Sequence, residues 1–148
     1  EEQRASLRFH LEYFAYRNFR LRTRIDFVRW TGATDDASSG YLIYQDFRLL
    51  PVSNLTIDFR VTLFETEDFN SRVFQFENDL LYVMSNAMLF DQGQRTYIVL
   101  RYQPSRHIVL RMKVATTLYE NRPTIGSGLD LIRGNRKSDL GFQIQMRI

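Results

Sequence analysis

Three arginines at alternate positions are the most conspicuous chemical groups in the sequence. Arg20, Arg22 and Arg24 are separated by apolar or small residues, so an extended chain places their guanidinium groups on one face. Such a row could bind an anionic solute or the phosphates of a glycolipid. It could also form a structural ion-pair lattice with Glu12 and Asp26. We favour the lattice, because arginine is suited to crowded polar interiors.

The two histidines are the next candidates. His10 and Glu12 share one face of an extended segment, where they could act as a general base and its orienting carboxylate. No serine stands at a recognisable spacing from them, so we favour a hydrogen-bonded wall residue for His10. His107 lies close to Pro104, which indicates an exposed turn. With no cysteine and two distant histidines, the chain has no thiolate or histidine metal signature. An enzyme is therefore not predicted.

Acidic residues leave one metal alternative open. Glu77 and Asp79 fall on one face of a predicted strand, and the preceding loop adds Glu67 and Asp68. Carboxylates of this kind could hold calcium, although the arginines need counter-charges in any case. In Gly126–Gly128, a phosphate cradle would need a leading apolar strand and a following helix, and neither is present. A turn in a long loop is favoured there, and no metal or cofactor is predicted.

A period of two residues dominates the chain and predicts strands. The alternation is clear in five segments and weaker in three: 5–14, 19–30, 54–64, 107–118 and 139–148, then 41–50, 72–82 and 95–103. A ninth short strand at 85–91 would correct the parity. Three short connections alternate with three long ones: Ala15–Asn18, Pro51–Ser53 and Pro104–Arg106, then Thr31–Gly40, Glu65–Ser71 and Tyr119–Ser138.

Length, net charge and the kinds of basic residue narrow the class of protein. A length of 148 residues suits one domain, residues 1–148. No run of 18 apolar residues is present, so no transmembrane helix is predicted. The net charge of +3 is too mild to imply nucleic acid. Of 20 basic residues only Lys113 and Lys137 are lysines, whereas a water-exposed face would be expected to favour lysine and glutamate.

The two faces of the predicted strands differ in a way that indicates a membrane. One face is apolar, rich in aromatic residues and almost uncharged, while the other carries arginines interleaved with acids. This pattern predicts an all-β, antiparallel, up-and-down transmembrane β-barrel with a polar interior. Because lipid cannot satisfy an unpaired sheet edge, about eight strands close into a narrow barrel, or they form the C-terminal part of a larger one.

The alternation assigns each residue to a face. The predicted lumen-lining residues are Arg8, His10, Glu12, Arg20, Arg22, Arg24, Asp26, Asp46, Arg48, Asp58, Arg60, Glu77, Asp79, Arg101, Arg111, Lys113 and Arg147. The predicted lipid-facing residues are Phe9, Leu11, Leu21, Ile25, Phe27, Ile57, Phe59, Val61, Leu110, Met112, Phe142 and Ile144. Six aromatic residues near strand ends could form an interfacial girdle or pack ordinarily, with neither favoured: Tyr13, Phe14, Tyr16, Phe19, Trp30 and Tyr41.

Strand register follows from the turns. A three-residue turn at Val52–Asn54 predicts four cross-strand pairs: Arg48 with Asp58, Asp46 with Arg60, Phe47 with Phe59, and Leu49 with Ile57. The first turn places Glu12 opposite Arg20 or Arg22. Each ion pair contributes about 0.2–1 kcal/mol. A slip by one residue would place arginines in lipid at about 2–4 kcal/mol each.

The last segment, Leu140–Ile148, resembles the C-terminal signal strand of outer-membrane proteins. That signal alternates apolar residues and ends on a hydrophobic one, usually Phe, and Ile148 departs from it. The resemblance implies that the barrel-assembly machinery reads four residues: Phe142, Ile144, Met146 and Ile148.

Residues 65–148 resemble the C-terminal region of a Bacteroidota family named helix-hairpin-helix domain proteins. Four motifs carry the likeness in the same order: Asp68–Arg72, Phe76–Tyr82, Ile125–Asp130 and Gly134–Leu140. The resemblance implies a helical DNA-binding-type module followed by an outer-membrane barrel longer than 148 residues. No such module is present in residues 1–148, so no nucleic-acid partner is implied.

Three functions remain open for such a barrel, with its C-terminus in the periplasm of a bacterial outer membrane. The first is a structural or interaction component, whose partners are lipid, other chains of a complex or the missing part of its own barrel. The alternative is a pore for small polar or anionic solutes. A weaker alternative is a hydrolase or acyltransferase embedded in the outer membrane.

Overall fold

Alternating apolar and polar residues produce long strands throughout the chain. The computed structural model describes residues 2–34 and 36–147. In chain order the elements are β1 (Gln3–Tyr16), β2 (Phe19–Thr31), β3 (Ala37–Val52), β4 (Leu55–Thr66), β5 (Val73–Phe76), β6 (Asn86–Leu89), β7 (Gln92–Ser105), β8 (Ile108–Tyr119), β9 (Thr124–Ile125), a 3₁₀ turn (Gly128–Asp130), β10 (Ile132–Arg133) and β11 (Arg136–Met146). The fold is therefore all-β and antiparallel, as predicted.

Seven of these strands form one up-and-down sheet in the order β1-β2-β3-β4-β7-β8-β11. Two-residue turns at 17–18, 53–54 and 106–107 lie together at one end, called the turn end. The longer connections after β2, β4 and β8 lie at the opposite end, called the loop end. The predicted alternation of short and long connections is confirmed.

The register between β3 and β4 is the one predicted from the turn. Arg48 lies opposite Asp58 and Asp46 opposite Arg60. On the other face Phe47 lies opposite Phe59, with their ring centroids 5.8 Å apart. The first hairpin resolves the open choice, since Glu12 lies opposite Arg22. Alternation fixes register here because a one-residue slip would exchange the two faces.

The prediction of one long strand over residues 72–82 is wrong, because only Val73–Phe76 is a strand there and it lies outside the main sheet. β5 ends at Phe76 and, among the described residues, pairs with β6 alone, so the two form a separate hairpin, here called the inserted hairpin (residues 73–89). The whole segment between β4 and β7, residues 67–91, is called the insertion. The chain leaves the strand at Glu77, and Tyr82 adopts a left-handed backbone conformation with φ of 66°. Asp79 accepts a hydrogen bond from the Leu80 N–H, a local side-chain bond that competes with strand pairing. The optional ninth strand corresponds to β6.

The sheet has a polar face, which the inserted hairpin covers in part, and an apolar face on which no other described segment packs. The polar face is not uniform. At the loop end it carries apolar side chains, which pack with the hairpin and β9 in a small core: Val28, Leu42, Tyr44, Phe64, Tyr119, Val73, Leu89 and Ile125. Gly40 makes room for this layer, because a Cβ there would lie 2.6 Å from the Ser71 carbonyl oxygen.

The main sheet is open rather than closed. β1 and β11 are its edge strands, and within residues 2–34 and 36–147 neither pairs with the other. The sheet has seven strands rather than eight, because the segment expected to supply the eighth forms the inserted hairpin. The prediction that these residues close into a narrow eight-stranded barrel is therefore wrong.

Candidate functional site: the polar face and its inserted hairpin

An ion-pair lattice crosses the polar face from β1 to β4. Glu12 Oε1 forms an ion pair with Arg20 Nη1 at 3.1 Å and accepts a hydrogen bond from Arg22 Nη2 at 3.4 Å. Arg24 Nε donates to Asp26 at 2.9 Å, and Arg8 Nε donates to the same carboxylate at 2.9 Å. Each arginine of the row thus contacts a carboxylate of β1, β2 or β3, as in the structural alternative. Among the described residues, Arg22 Nε is buried without a hydrogen-bond partner.

Arg60 joins this lattice to the inserted hairpin. Its side chain is 2% exposed. Nη2 donates to Asp46 at 2.7 Å, and Nη1 donates to the Phe76 carbonyl at 2.6 Å. The guanidinium also lies 3.8 Å from the centroid of the Tyr44 ring. One side chain therefore fixes the end of β5 above β3 and β4, in the bidentate geometry that distinguishes arginine from lysine.

Glu77 is the centre of a buried charge cluster formed with β7 and β8. Its carboxylate accepts hydrogen bonds from Arg95 Nη2 at 2.9 Å and Lys113 Nζ at 3.0 Å. Lys113 also donates to Asp79, and Gln75 donates to Glu77 at 2.8 Å. Burial by itself would raise the pKa of Glu77, but Arg95 and Lys113 outweigh burial and hold that pKa below its ordinary value. The cluster is therefore ionised at neutral pH.

The remaining contacts of the insertion reach both edge strands. The Leu81 N–H donates to Gln143 Oε1 at 2.8 Å, and Gln143 Nε2 donates back to the Leu81 carbonyl at 3.1 Å. At the opposite edge Arg4 donates to the carbonyl of Arg72. Residues 67–85 are thus tied to β1, β4, β7, β8 and β11, so the insertion is a fixed layer across the sheet.

The four acids considered for calcium do not converge. Glu77 and Asp79 are occupied by cations of the sheet, whereas Asp68 accepts hydrogen bonds from the Ser38 hydroxyl at 2.7 Å and the Asn70 N–H at 2.8 Å. The hydrogen bond from Ser38 is the main cause that holds the pKa of Asp68 below its ordinary value. Within the part of the chain that the structure describes, no group of three or more potential ligands could hold a metal ion.

A basic cavity of about 300 Å³ lies between the insertion and the turn end of the sheet. Arg101 and Arg111 line it and face each other directly across β7 and β8. Like charges in opposed positions are destabilising. Each guanidinium donates to a glutamine, Arg101 to Gln103 at 3.0 Å and Arg111 to Gln145 at 3.1 Å. Sequence reasoning did not distinguish this pair from the other arginines, because only the register shows that the two are opposed.

The histidines lie at exposed positions. His10 is on edge strand β1, opposite Arg24, and no hydrogen bond joins it to Glu12 or a serine among the described residues. His107 occupies the turn before β8, as predicted, with Nδ1 3.0 Å from the Arg147 carbonyl oxygen. Gly126–Gly128 forms a turn between β9 and β10, also as predicted.

Two predictions about faces require correction, because Glu77 and Asp79 reach the polar face from the insertion rather than from a strand of the main sheet. The other predicted residues lie on the faces that alternation assigned to them. All twelve residues predicted to face lipid lie on the apolar face, and none of them is buried. Of the aromatic residues near strand ends, Phe14 and Trp30 lie on the polar-face side, since they pair with Arg20 and Ser38.

The apolar face is a slanted band rather than a rectangle. Its polar limit at the loop end is Arg29 on β2, Glu65 on β4 and Ser138 on β11. In the cross-strand register this limit shifts by six residues over five strand spacings, which is about 20 Å along the strands and about 24 Å across them. The band therefore lies about 40° from the perpendicular to the strands, within the 35–45° tilt of outer-membrane strands.

Comparison of the chain with protein-family models, curated proteins and solved structures finds no match. The resemblance to the Bacteroidota family therefore remains a prediction. Among the described residues there is no helix with the length and apolar character required to cross a membrane.

Proposed function

We propose that the seven-stranded sheet is part of the wall of a transmembrane β-barrel in a bacterial outer membrane. Its role is that of a structural or interaction component, with the inserted hairpin as a plug inside the wall. The observation that carries this proposal is the inversion of the two faces. Charged groups such as Arg60 and Glu77 are buried on one face, while Leu11 and Phe142 on the other are 68% and 62% exposed.

Water is a poor solvent for such a face. Monomeric soluble proteins rarely expose apolar patches larger than a few hundred Å², whereas here the band extends over all seven strands. Covering one large aliphatic or aromatic side chain stabilises a protein by about 1.5–3 kcal/mol. Acyl chains would cover the whole band at once, and the slant of the band matches strands that cross a bilayer obliquely.

The ends of the sheet support an orientation. Short turns lie on the periplasmic side of outer-membrane barrels and long loops on the outside. β11 runs toward the turn end, which favours a periplasmic C-terminus. Phe142, Ile144 and Met146 share the apolar face of this strand, where the barrel-assembly machinery could read them; Ile148 lies outside the described residues.

The pore alternative is favoured by one observation, the cavity lined by Arg101 and Arg111. The insertion contacts the polar face from β1 to β11 through Arg4, Arg60, Arg95, Lys113 and Gln143, so a plug is favoured over an open channel. Planar-bilayer recordings separate the two: the wall-and-plug proposal predicts no steady conductance. Ohmic, anion-selective openings whose anion selectivity falls in Arg101→Gln would contradict this proposal and support the pore alternative.

Fractionation tests the membrane proposal itself. The protein is expected to sediment with outer membranes, to resist extraction by carbonate, and to fold only with detergent or lipid. A folded monomer in detergent-free buffer, with Phe59 and Phe142 shielded from water and Arg22 hydrated, would contradict the proposal.

A further inference from the structure

The two open edges of the sheet run in the same direction. β1 and β11 both extend from the loop end to the turn end, as their pairings with β2 and β8 show. If the edges met directly, they would form a parallel seam, although every pairing within the sheet is antiparallel. An antiparallel wall therefore requires an odd number of additional strands between them.

A second copy of the same sheet does not satisfy this requirement. Copies inserted with one orientation across the membrane present β1 and β11 edges that all run toward the turn end. Any junction between two copies is then parallel as well. Strands of a different sequence, beginning and ending with one that runs toward the loop end, pair antiparallel with both edges.

The inserted hairpin indicates how many strands are needed between the β1 and β11 edges. Its inner face is buried against the sheet, with Val73 at 1%, Gln75 at 0% and Leu89 at 2% exposed. Its outer face presents Phe74, Phe76 and Met88 at 38%, 59% and 41% exposed. Both faces of the hairpin are thus built for packing, and only one of them is covered by residues of this sheet.

An opposite barrel wall would cover the second face. Stacked β layers lie about 10 Å apart, so a hairpin held between two walls needs a diameter of at least about 20 Å. With strands about 4.8 Å apart and tilted by about 40°, that circumference takes about ten strands. An eight-stranded barrel is too narrow, because its interior holds only side chains.

We propose that an odd number of strands, at least three, from sequence outside residues 1–148 closes the sheet between β1 and β11 and packs on Phe74, Phe76 and Met88. This inference rests on the proposed function and gives it a size: a barrel of ten or more strands around a hairpin plug. The added strands alternate apolar and polar residues like those of the sheet, since they share its lipid and its interior.

The distance between two nitroxide labels tests the proposal in the complete natural polypeptide, assembled in its own outer membrane. Phe9→Cys on β1 and Phe142→Cys on β11 lie in the middle of the apolar band, and the 148 residues contain no cysteine. With strands about 4.8 Å apart, direct closure places these positions about 5 Å apart, one intervening strand about 10 Å, and three or more about 19 Å or more. We expect a mean distance above about 15 Å.

A mean distance below about 15 Å would overturn the proposal. So would a dipolar signal from Phe9→Cys alone, because it would reveal a second copy at the edge. Phe9→Cys with Ile25→Cys, neighbours across β1 and β2, is the short-distance control. Leu11→Cys with Ile144→Cys replaces the main pair if assembly fails. Failure of the protein to enter membranes would refute the proposed function separately, before any distance is measured.

Discussion

Single residues decide how the insertion is held. Lys113 has one ammonium group between two carboxylates, those of Glu77 and Asp79. The side chains of the lysine and of both carboxylates are buried, at 9%, 0% and 7% exposed, so the loss of the lysine leaves a buried charge. Arginine dominates the lattice between strands, whereas the one buried lysine occupies the place where a compact charge must serve two acceptors.

Replacing Lys113 is therefore expected to be costly. Lys113→Met leaves Asp79 without its cation and Glu77 with Arg95 alone, and it should lower the free energy of unfolding by about 3–5 kcal/mol. Lys137→Met is the matched control, because Lys137 is the other lysine and is exposed; a change within about 0.5 kcal/mol is expected there. Urea unfolding of the detergent-folded protein measures both. Equal effects would show that the cluster does not hold the insertion.

Acid should weaken the same cluster. Because the pKa of Glu77 is below its ordinary value of 4.5, the stability that it contributes is complete above that pH and is lost as the pH falls through the lower pKa. The unfolding midpoint should therefore stay level from neutral pH to about 5 and fall below about 4.5. Glu77→Gln should reduce the dependence on acid. If the unfolding midpoint of that variant fell with acid as steeply as in the wild type, other carboxylates would be responsible for the loss of stability.

At the scale of elements, the strands of the main sheet were predictable and the insertion was not. A period of two residues defines β1, β2, β4 and β8 because each has one apolar and one polar face. The same period occurs in Val73–Glu77, so alternation could not separate a hairpin from a strand of the main sheet. The uneven count of connections between 64 and 103 was one sign of the insertion.

The core at the loop end left a signal that alternation did not use. Val28, Leu42 and Phe64 stand at polar-face positions of their strands, and all three are buried. Apolar residues on an otherwise polar face indicate that another layer covers it. Which layer covers them depends on contacts between distant segments, such as Arg60 with Phe76, and sequence spacing does not contain that information.

Docking of the insertion depends on the close approach at Gly40. Gly40→Ala would place a Cβ 2.6 Å from the Ser71 carbonyl oxygen, and backbone at that distance must move. Overpacking of this kind costs about 1–3 kcal/mol. Trypsin should then cut the Gly40→Ala variant faster after Arg72. The control is Ser39→Ala, at a neighbouring exposed residue, which trypsin should cut at the wild-type rate. Equal rates would mean that the loop does not rely on this approach.

For the whole molecule, the proposed function implies that the slant of the band sets where lipid would begin and end. Phe59 lies near the middle of the band and Ser39 at its loop-end limit. Phe59→Arg should destabilise the protein in lipid by about 2–4 kcal/mol, and Ser39→Arg by about 0–1 kcal/mol. Unfolding in lipid vesicles measures the difference. A negligible cost for Phe59→Arg would indicate that water covers this face.

A nitroxide scan along β8, residues 108–119, in lipid vesicles tests whether the apolar face of the sheet contacts lipid. Collisions with oxygen report lipid and collisions with a water-soluble nickel complex report water. We expect oxygen maxima at Ile108, Leu110, Met112 and Val114, alternating with minima at Val109, Arg111, Lys113 and Ala115. Nickel maxima at the apolar positions, or no alternation along the strand, would contradict it.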